Sequence, residues 1–189
     1  LSSQGYIEVY LYSLRDSGEI KLMNALASDK DHLRNDLTAG VTDSLDKNEK
    51  QMPLLGLYDA VKIFEIGNVF LSGGEETHIA IGVRVAGEKK KEERTKEILE
   101  TTRKELEETF GTPLPGINGE TLEFNLDSLV ADLPECASYP ETKTVADGVS
   151  YAASSQYPFV LRDIAVWVPN RTLSDNVLSI VKKHAGVLL

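Results

Sequence analysis

Two long stretches in the middle of the chain are rich in β-branched and other apolar residues, with only a few polar ones. They cover residues 61–71 and 77–86 and are joined by a short, polar, glycine-containing turn. Such runs are typical of strands, and a short turn joins antiparallel neighbours. The pattern therefore predicts a long β-hairpin at the centre of the fold.

Shorter apolar stretches predict further strands. They are residues 5–14, residues 19–24 after a turn at 16–18, residues 122–129 running into a short helical turn, and residues 159–169. In the first of these, Ile7, Val9 and Leu11 share the side that we expect to be buried.

Three segments carry apolar residues at helical spacing. The first is predicted to begin after Ser28, whose hydroxyl can cap a helix, and to end near Lys50. The second covers residues 88–110, and the third runs from Thr172 to Gly186. The apolar stripes expected to face inward are Leu33, Leu37, Val41 and Leu45; Ile98, Leu99, Thr102, Leu106 and Phe110; and Leu173, Val177, Ile180 and Val181.

Composition narrows the class of protein. The chain has 189 residues, of which 41% are apolar and 26% charged, as expected for a soluble globular protein. No apolar run approaches the roughly 20 residues that span a bilayer. The N-terminus has no signal-peptide pattern, and we expect it to be a cut through a longer polypeptide. The single Cys136 and three dispersed histidines allow neither an internal disulfide nor a structural zinc site and fit a reducing cytosol.

Charge is distributed unevenly. The net charge is −10, yet residues 151–189 hold four basic and two acidic side chains, against 16 basic and 28 acidic ones in residues 1–150. An acidic body argues against nucleic-acid binding there, and a mildly basic tail permits it.

Motifs of common catalytic sites are absent from the sequence: no phosphate-binding loop, dinucleotide fingerprint or nucleophile elbow occurs. Cys136 and His78 are interpreted as non-catalytic, and Glu65, Glu75 and Glu76, the acids that bracket the hairpin, as chance neighbours. For His32 and Arg34 two alternatives stay open. They belong to an ordinary first helical turn, or Arg34 points from a helix N-terminus into a cleft.

Several short motifs together resemble a known family. They are NALAS at 24–28, LRNDLTAGV at 33–41, Asn48, FEIGNVF at 64–70, LEFNLDSL at 122–129 and YAASSQYPFVLRDIAVWVP at 151–169. In this order they are similar to the catalytic-core-like module and the start of the ferredoxin-fold anticodon-binding domain of the bacterial phenylalanyl-tRNA synthetase beta subunit. The match is faint between about 88 and 120, and Ala25 stands where the family usually has proline.

The resemblance implies an α+β fold: an antiparallel sheet flanked by helices, like a class II aminoacyl-tRNA synthetase but non-catalytic, followed by an incomplete ferredoxin-like α/β segment. The implied domains are residues 1–134, a linker over 135–155, and residues 156–189. It also implies a cytoplasmic heterotetramer in which the chain packs on a catalytic alpha subunit. No membrane partner is expected.

The same resemblance implies that the C-terminal domain contacts tRNA(Phe), while the assembled enzyme uses ATP and magnesium. If the tail binds RNA, the candidate residues are Arg162, Arg171, Lys182 and Lys183, acting on phosphates. For Arg162 an ion pair with a neighbouring acid is the competing interpretation.

The hairpin turn argues against catalysis by this chain. In active class II enzymes the first hairpin strand continues into an Arg-x-Glu or Arg-x-Asp turn whose arginine grips the α-phosphate. Here the strand continues Leu71-Ser72-Gly73-Gly74-Glu75, and Arg84 lacks the context of the second phosphate-binding arginine. We therefore expect a non-catalytic scaffold that binds no cofactor itself. The alternatives are a diverged ligase and a paralogue acting only as a protein-interaction module.

Overall fold

The computed structural model describes residues 1–52, 59–86, 90–131, 133, 138, 153 and 164–185. The chain divides into two compact units, Leu1–Thr142 and Lys143–Leu189, and each is treated by itself below. The elements of the first unit are a 3-10 turn Ser2–Gln4, β1 Ile7–Glu8, β2 Leu14–Arg15, β3 Ile20–Lys21, β4 His32–Leu33, α1 Thr38–Glu49, β5 Ala60–Leu71, β6 Gly74–Val85, α2 Lys91–Phe110, β7 Thr121–Asn125 and α3 Leu126–Ala131. The second unit contains α4, Ser174–Ala185.

The predicted central hairpin is confirmed. Strands β5 and β6 pair over their full 12 residues each, from Ala60 opposite Val85 to Leu71 opposite Gly74. The sheet order is β1-β5-β6-β7, and β2, β4 and β3 form a separate small antiparallel sheet. Because β1 runs parallel to β5, the main sheet is mixed, and the expectation of an antiparallel sheet is wrong at this edge.

The two faces of the sheet bury different clusters. We call the face covered by α1 the α1 face; it packs Leu37, Val41 and Leu45 against strand residues such as Ile63 and Val69. The opposite face is covered by α2 and α3. Its buried residues are Tyr6, Phe64, Ile79, Ile81, Val83, Leu99, Leu114, Leu122, Phe124 and Leu129. The strands therefore lie between two helical layers, which buries apolar side chains of both faces.

A glycine allows α1 to lie close to the sheet. A Cβ built on Gly82 of β6 would stand 2.4 Å from Cγ1 of Val41 and 3.1 Å from Cδ1 of Leu45. Because real side chains avoid such contacts, a larger residue would push the helix outward.

The prediction for residues 5–14 is largely wrong. Only Ile7 and Glu8 pair as a strand, and Ile7 is 63% exposed whereas Tyr6 is 3% exposed. The Tyr6 hydroxyl lies 2.7 Å from Oγ1 of Thr102 on α2, so the ring fills the core with its polar end satisfied. Burial raises the pKa of the Tyr6 hydroxyl.

The first helix begins nine residues later than predicted. Ser28 caps nothing because His32 and Leu33 pair between β2 and β3, and α1 starts at Thr38. Leu33 therefore belongs to a strand, while the other three residues of its stripe are buried as expected. The predicted second helix and the strand followed by a short helix at 121–131 are confirmed.

In the second unit, the helix α4 is confirmed, but its inward stripe is not. No residue of α4 is buried, and Leu173 and Ile180 are 67% and 61% exposed. Residues 164–169 form no strand, because a strand needs a hydrogen-bonded neighbour and the described residues of this unit provide none. Most of the predicted linker at 135–155 lies outside the described residues.

Candidate functional site

The turn between β5 and β6 is contacted by a carboxylate rather than by a cation. The Ser72 amide donates a hydrogen bond of 2.8 Å to Oε2 of Glu19. Close by, the side-chain amide of Asn68 donates to Glu75 on the facing strand. A transferring phosphate needs positive charge or free amide donors, and these contacts supply negative charge instead.

The α1 face carries a buried ion pair at its centre. Arg34 is 5% exposed and Glu65 is wholly buried, and Nη1 of the arginine lies 2.8 Å from Oε1 of the glutamate. The same glutamate oxygen accepts a hydrogen bond from the Leu11 amide at 3.1 Å. Removing one member of such a pair leaves the other charge buried without compensation.

Arg34 also closes part of the open edge of β5. Its Nε donates to the carbonyl of Asn68 at 2.8 Å, and its own carbonyl accepts from the amide of Phe70 at 2.9 Å. Gly67, immediately before Asn68, provides the room: an added Cβ would stand 2.4 Å from Nη2 of Arg34. The arginine thus replaces a neighbouring strand along this edge, which would otherwise expose unpaired backbone groups.

The N-terminus of α1 is capped from a distant strand. Glu123 on β7 accepts hydrogen bonds from the amides of Leu37 and Thr38, at 3.1 and 2.8 Å, and from the Thr38 hydroxyl at 2.6 Å. Asp36 adds a local cap by accepting from the amide of Ala39 at 2.8 Å. The first amides of a helix favour an anion, and here the protein's own carboxylate takes that position.

His78 lies beside this cap, between two carboxylates. Its Nδ1 is 2.8 Å from Oε1 of Glu123 and its Nε2 is 3.2 Å from Oε2 of Glu76. Asn125 donates a further hydrogen bond to Glu76 at 2.7 Å.

Arg84, at the far end of the same face, is surrounded by acids. It is bound by Asp46 and Glu49 of α1 and by Glu120 just before β7. Hydrogen bonding to Glu120 is the largest cause that raises the pKa of Arg84. Hydrogen bonding from Arg84 lowers the pKa of Asp46, and hydrogen bonding from Lys91 lowers that of Glu49.

Both arginines of the α1 face are therefore occupied by carboxylates of the same chain. Neither alternative for Arg34 is correct. Arg34 lies before α1 rather than in its first turn, and its guanidinium pairs with the buried Glu65 rather than entering a cleft. His32 contacts the neighbouring Asp31 at 2.6 Å. The view of Glu65 as a chance acid is wrong.

The described residues among those proposed from sequence for RNA contact belong to the second unit. Arg171, Lys182 and Lys183 are exposed in the second unit. Arg162 and Cys136 lie outside the described residues. Within the described ranges, no group of three or more His, Cys, Asp or Glu side chains could hold a metal ion. None of the described helices combines the length and hydropathy of a membrane span.

Fold and site together define an α+β domain in which Arg34 and Arg84 on the α1 face are paired with carboxylates of the same chain. Residues 1–108 match the family model of the phenylalanyl-tRNA synthetase beta chain CLM domain. The chain belongs to this family, and with it to the aminoacyl-tRNA synthetases of protein biosynthesis. No curated protein matches the chain.

Sequence reasoning missed Glu65 and Glu123 as organisers of this face. Glu65 does leave a signal: it occupies an inward strand position two residues from the buried Ile63 and four from the buried Val69. An acid in such a register requires a buried cation, and Arg34 in the LRNDL segment is that cation. Glu123 leaves no comparable signal, because its helix lies 85 residues away in sequence.

Proposed function

We propose that this chain is a non-catalytic scaffold of phenylalanyl-tRNA synthetase. In this proposal it packs against the catalytic alpha subunit within a heterotetramer and positions the tRNA-binding C-terminal domain. The assembled cytoplasmic enzyme uses ATP and magnesium to charge tRNA(Phe), and this chain binds no cofactor of its own. The observation that carries the proposal is the family match over residues 1–108.

The charges of the α1 face support the proposal that this chain does not catalyse adenylation itself. Adenylation of an amino acid builds negative charge on the α-phosphate, and preorganised cations stabilise it. Arg34 and Arg84 are the two arginines that this face holds among the described residues, and each is bound by carboxylates of the chain itself. Freeing either would break a buried or half-buried ion pair before any phosphate could bind.

The proposed RNA contact rests on the exposed cations of the second unit. Arg171 precedes α4, and Lys182 and Lys183 lie in its last turn, where basic residues also favour the helix dipole. Exposed cations of this kind contact phosphates without reading bases, and their contribution falls as salt rises. Arg162 remains a candidate from the sequence alone.

Co-expression with a phenylalanyl-tRNA synthetase alpha subunit tests the scaffold role. We expect the two chains to co-elute in size-exclusion chromatography at a fixed stoichiometry. A titration of the complex with tRNA(Phe) at several salt concentrations then tests the cations: replacing Lys182 and Lys183 by glutamine should weaken binding and flatten its salt dependence. The matched control replaces Lys47 and Lys50 of the first unit and should leave binding unchanged.

Two results would count against the proposal. A chain that never associates with an alpha subunit favours a paralogue with another protein partner. Salt-independent tRNA binding, or binding insensitive to the two lysines, rejects the proposed RNA contact while leaving the scaffold role to be judged by co-elution.

A further inference from the structure

The single tryptophan of the chain lies on the surface of the second unit. Trp167 is fully exposed, and Ile164, Val166 and Val168 beside it in sequence are exposed as well. Tryptophan side chains are highly buried on average in folded proteins, because removing the large ring from water is favourable. A run of exposed apolar residues, as opposed to one scattered residue, marks a surface that a partner covers.

The charges of the same segment indicate what kind of partner fits this surface. Between residues 164 and 185 the chain has three cations, Arg171, Lys182 and Lys183, and a single acid, Asp175. All three cations are exposed. Aromatic rings next to unshielded cations are the combination that binds single-stranded nucleic acid, since bases stack on the rings and phosphates contact the cations.

A tight turn places one of these cations close to the tryptophan. The Thr172 amide donates a hydrogen bond of 2.9 Å to the carbonyl of Pro169, so the chain reverses direction within four residues. Arg171 lies inside this turn, and four residues of chain keep its Cα within about 14 Å of that of Trp167. From the start of α4 at Ser174, Lys182 lies about 12 Å further along the helix axis. The cations are thus spaced along a path that starts near the ring, as phosphates are spaced along a strand.

We propose that Trp167 is a stacking platform for an unpaired RNA base, with the flanking phosphates bound by Arg171, Lys182 and Lys183. The inference rests on the RNA contact proposed above and adds to it the residue that holds a base. Bases inside a duplex are stacked on one another and offer no free face, so the occupant is a single-stranded loop or end of the RNA. Stacking accepts any base, because each base has a π-face.

Trp167 and the lysines should affect binding in different ways. Stacking involves uncharged groups, so its loss weakens binding without changing the number of neutralised phosphates. W167A should therefore raise the Kd for tRNA(Phe) by at least about fivefold and leave the slope of log Kd against log salt unchanged. The double variant K182Q/K183Q should reduce that slope.

Fluorescence anisotropy of labelled tRNA(Phe), titrated with the full chain alone and in complex with an alpha subunit, measures these effects. W167F keeps an aromatic face and should retain most of the affinity, whereas W167L keeps apolar surface without a π-face and should bind like W167A. The control L178A changes another exposed apolar side chain of this unit and should bind like the wild type. Circular dichroism checks that every variant keeps its helices.

The emission of Trp167 provides an independent readout. Because the chain has one tryptophan, the difference in emission between wild-type and W167F complexes belongs to Trp167. We expect tRNA(Phe) to quench this difference and a long blunt RNA duplex, which offers no unpaired base along its length, to quench it much less.

The inference is overturned if W167A binds tRNA(Phe) as tightly as the wild type, if W167L binds as tightly as W167F, or if L178A weakens binding as much as W167A. It is also overturned if the alpha subunit changes the emission of Trp167 and tRNA then has no effect, which would assign the ring to a protein interface. In each of these cases the RNA contact through the lysines stands if the salt dependence does. A wild-type complex that binds no tRNA rejects that contact and this inference together.

Discussion

Replacing Arg34 by methionine should destabilise the domain strongly. The variant keeps an unbranched apolar side chain in place of the aliphatic part of the arginine but removes the only charge within hydrogen-bonding distance of the buried Glu65 carboxylate among the described residues. Breaking one half of a buried pair costs about 3–5 kcal/mol. Loss of the hydrogen bond to the Asn68 carbonyl adds about 1 kcal/mol. We therefore expect the free energy of unfolding to fall by roughly 4–6 kcal/mol.

Urea unfolding followed by circular dichroism at the helical band measures this change. The double variant R34M/E65L replaces both charges by apolar groups and should recover most of the loss, since a buried pair contributes little against a hydrophobic replacement. The control R15M breaks the partly exposed ion pair with Asp43 and should cost less than about 1 kcal/mol. The buried pair does not have the proposed role if R34M lowers the free energy of unfolding no more than R15M does, or if the double variant is as unstable as R34M.

Two further predictions concern packing and pH. G82A places a methyl group 2.4 Å from Cγ1 of Val41 and should lower the free energy of unfolding by about 1–3 kcal/mol. The control G73A has no atom within 4 Å of its Cβ and should change the free energy of unfolding by less than about 0.5 kcal/mol. Equal effects of the two variants in urea unfolding would show that α1 is not closely packed on Gly82. Hydrogen bonding from Arg84 lowers the pKa of Asp46 in the folded state, so this pair stabilises the fold above about pH 4, and its contribution is lost as pH falls through the folded pKa. The difference in the free energy of unfolding between wild type and R84M should therefore narrow on acidification. A difference that stays constant down to about pH 2 would contradict this prediction.

The sequence predicted those elements whose signal lies within one continuous segment of the chain, namely the central hairpin and α2. The long hairpin follows from two apolar, β-branched runs over 61–71 and 77–86 that are joined by a glycine-containing turn, and α2 follows from one apolar stripe in a charged segment. In both cases the signal extends over ten residues or more. Side-chain burial along these elements then follows directly from geometry.

The misplaced start of α1 has a different cause. The apolar spacing of Leu33 continues that of Leu37 and Val41, so the stripe alone cannot separate a strand from a helix. Pairing of β4 with two other short strands decides the matter, and the helix cap comes from Glu123, which is remote in sequence. Tertiary contacts here override a local pattern that was compatible with helix.

The ion pairs of the candidate site were not predicted from the sequence. The motifs LRNDL and FEIG were recognised as a resemblance, but their physical meaning comes from three-dimensional contact. Arg34 needs Glu65 for charge and Gly67 for space, and nothing in the spacing of 31 residues between the two charged groups reveals that they meet. Arg84 likewise has no recognisable sequence motif around it, and its three acidic partners are brought to it only by the fold.

Pyrophosphate exchange shows directly whether this chain can activate phenylalanine with ATP by itself. The purified chain would be incubated with phenylalanine, ATP, magnesium and labelled pyrophosphate, alone and in complex with an alpha subunit. Because Arg34 and Arg84 are both bound by carboxylates of the chain, we expect no exchange above background for the chain alone and exchange only in the complex. Exchange by the chain alone that is abolished in R34M or R84M would contradict it.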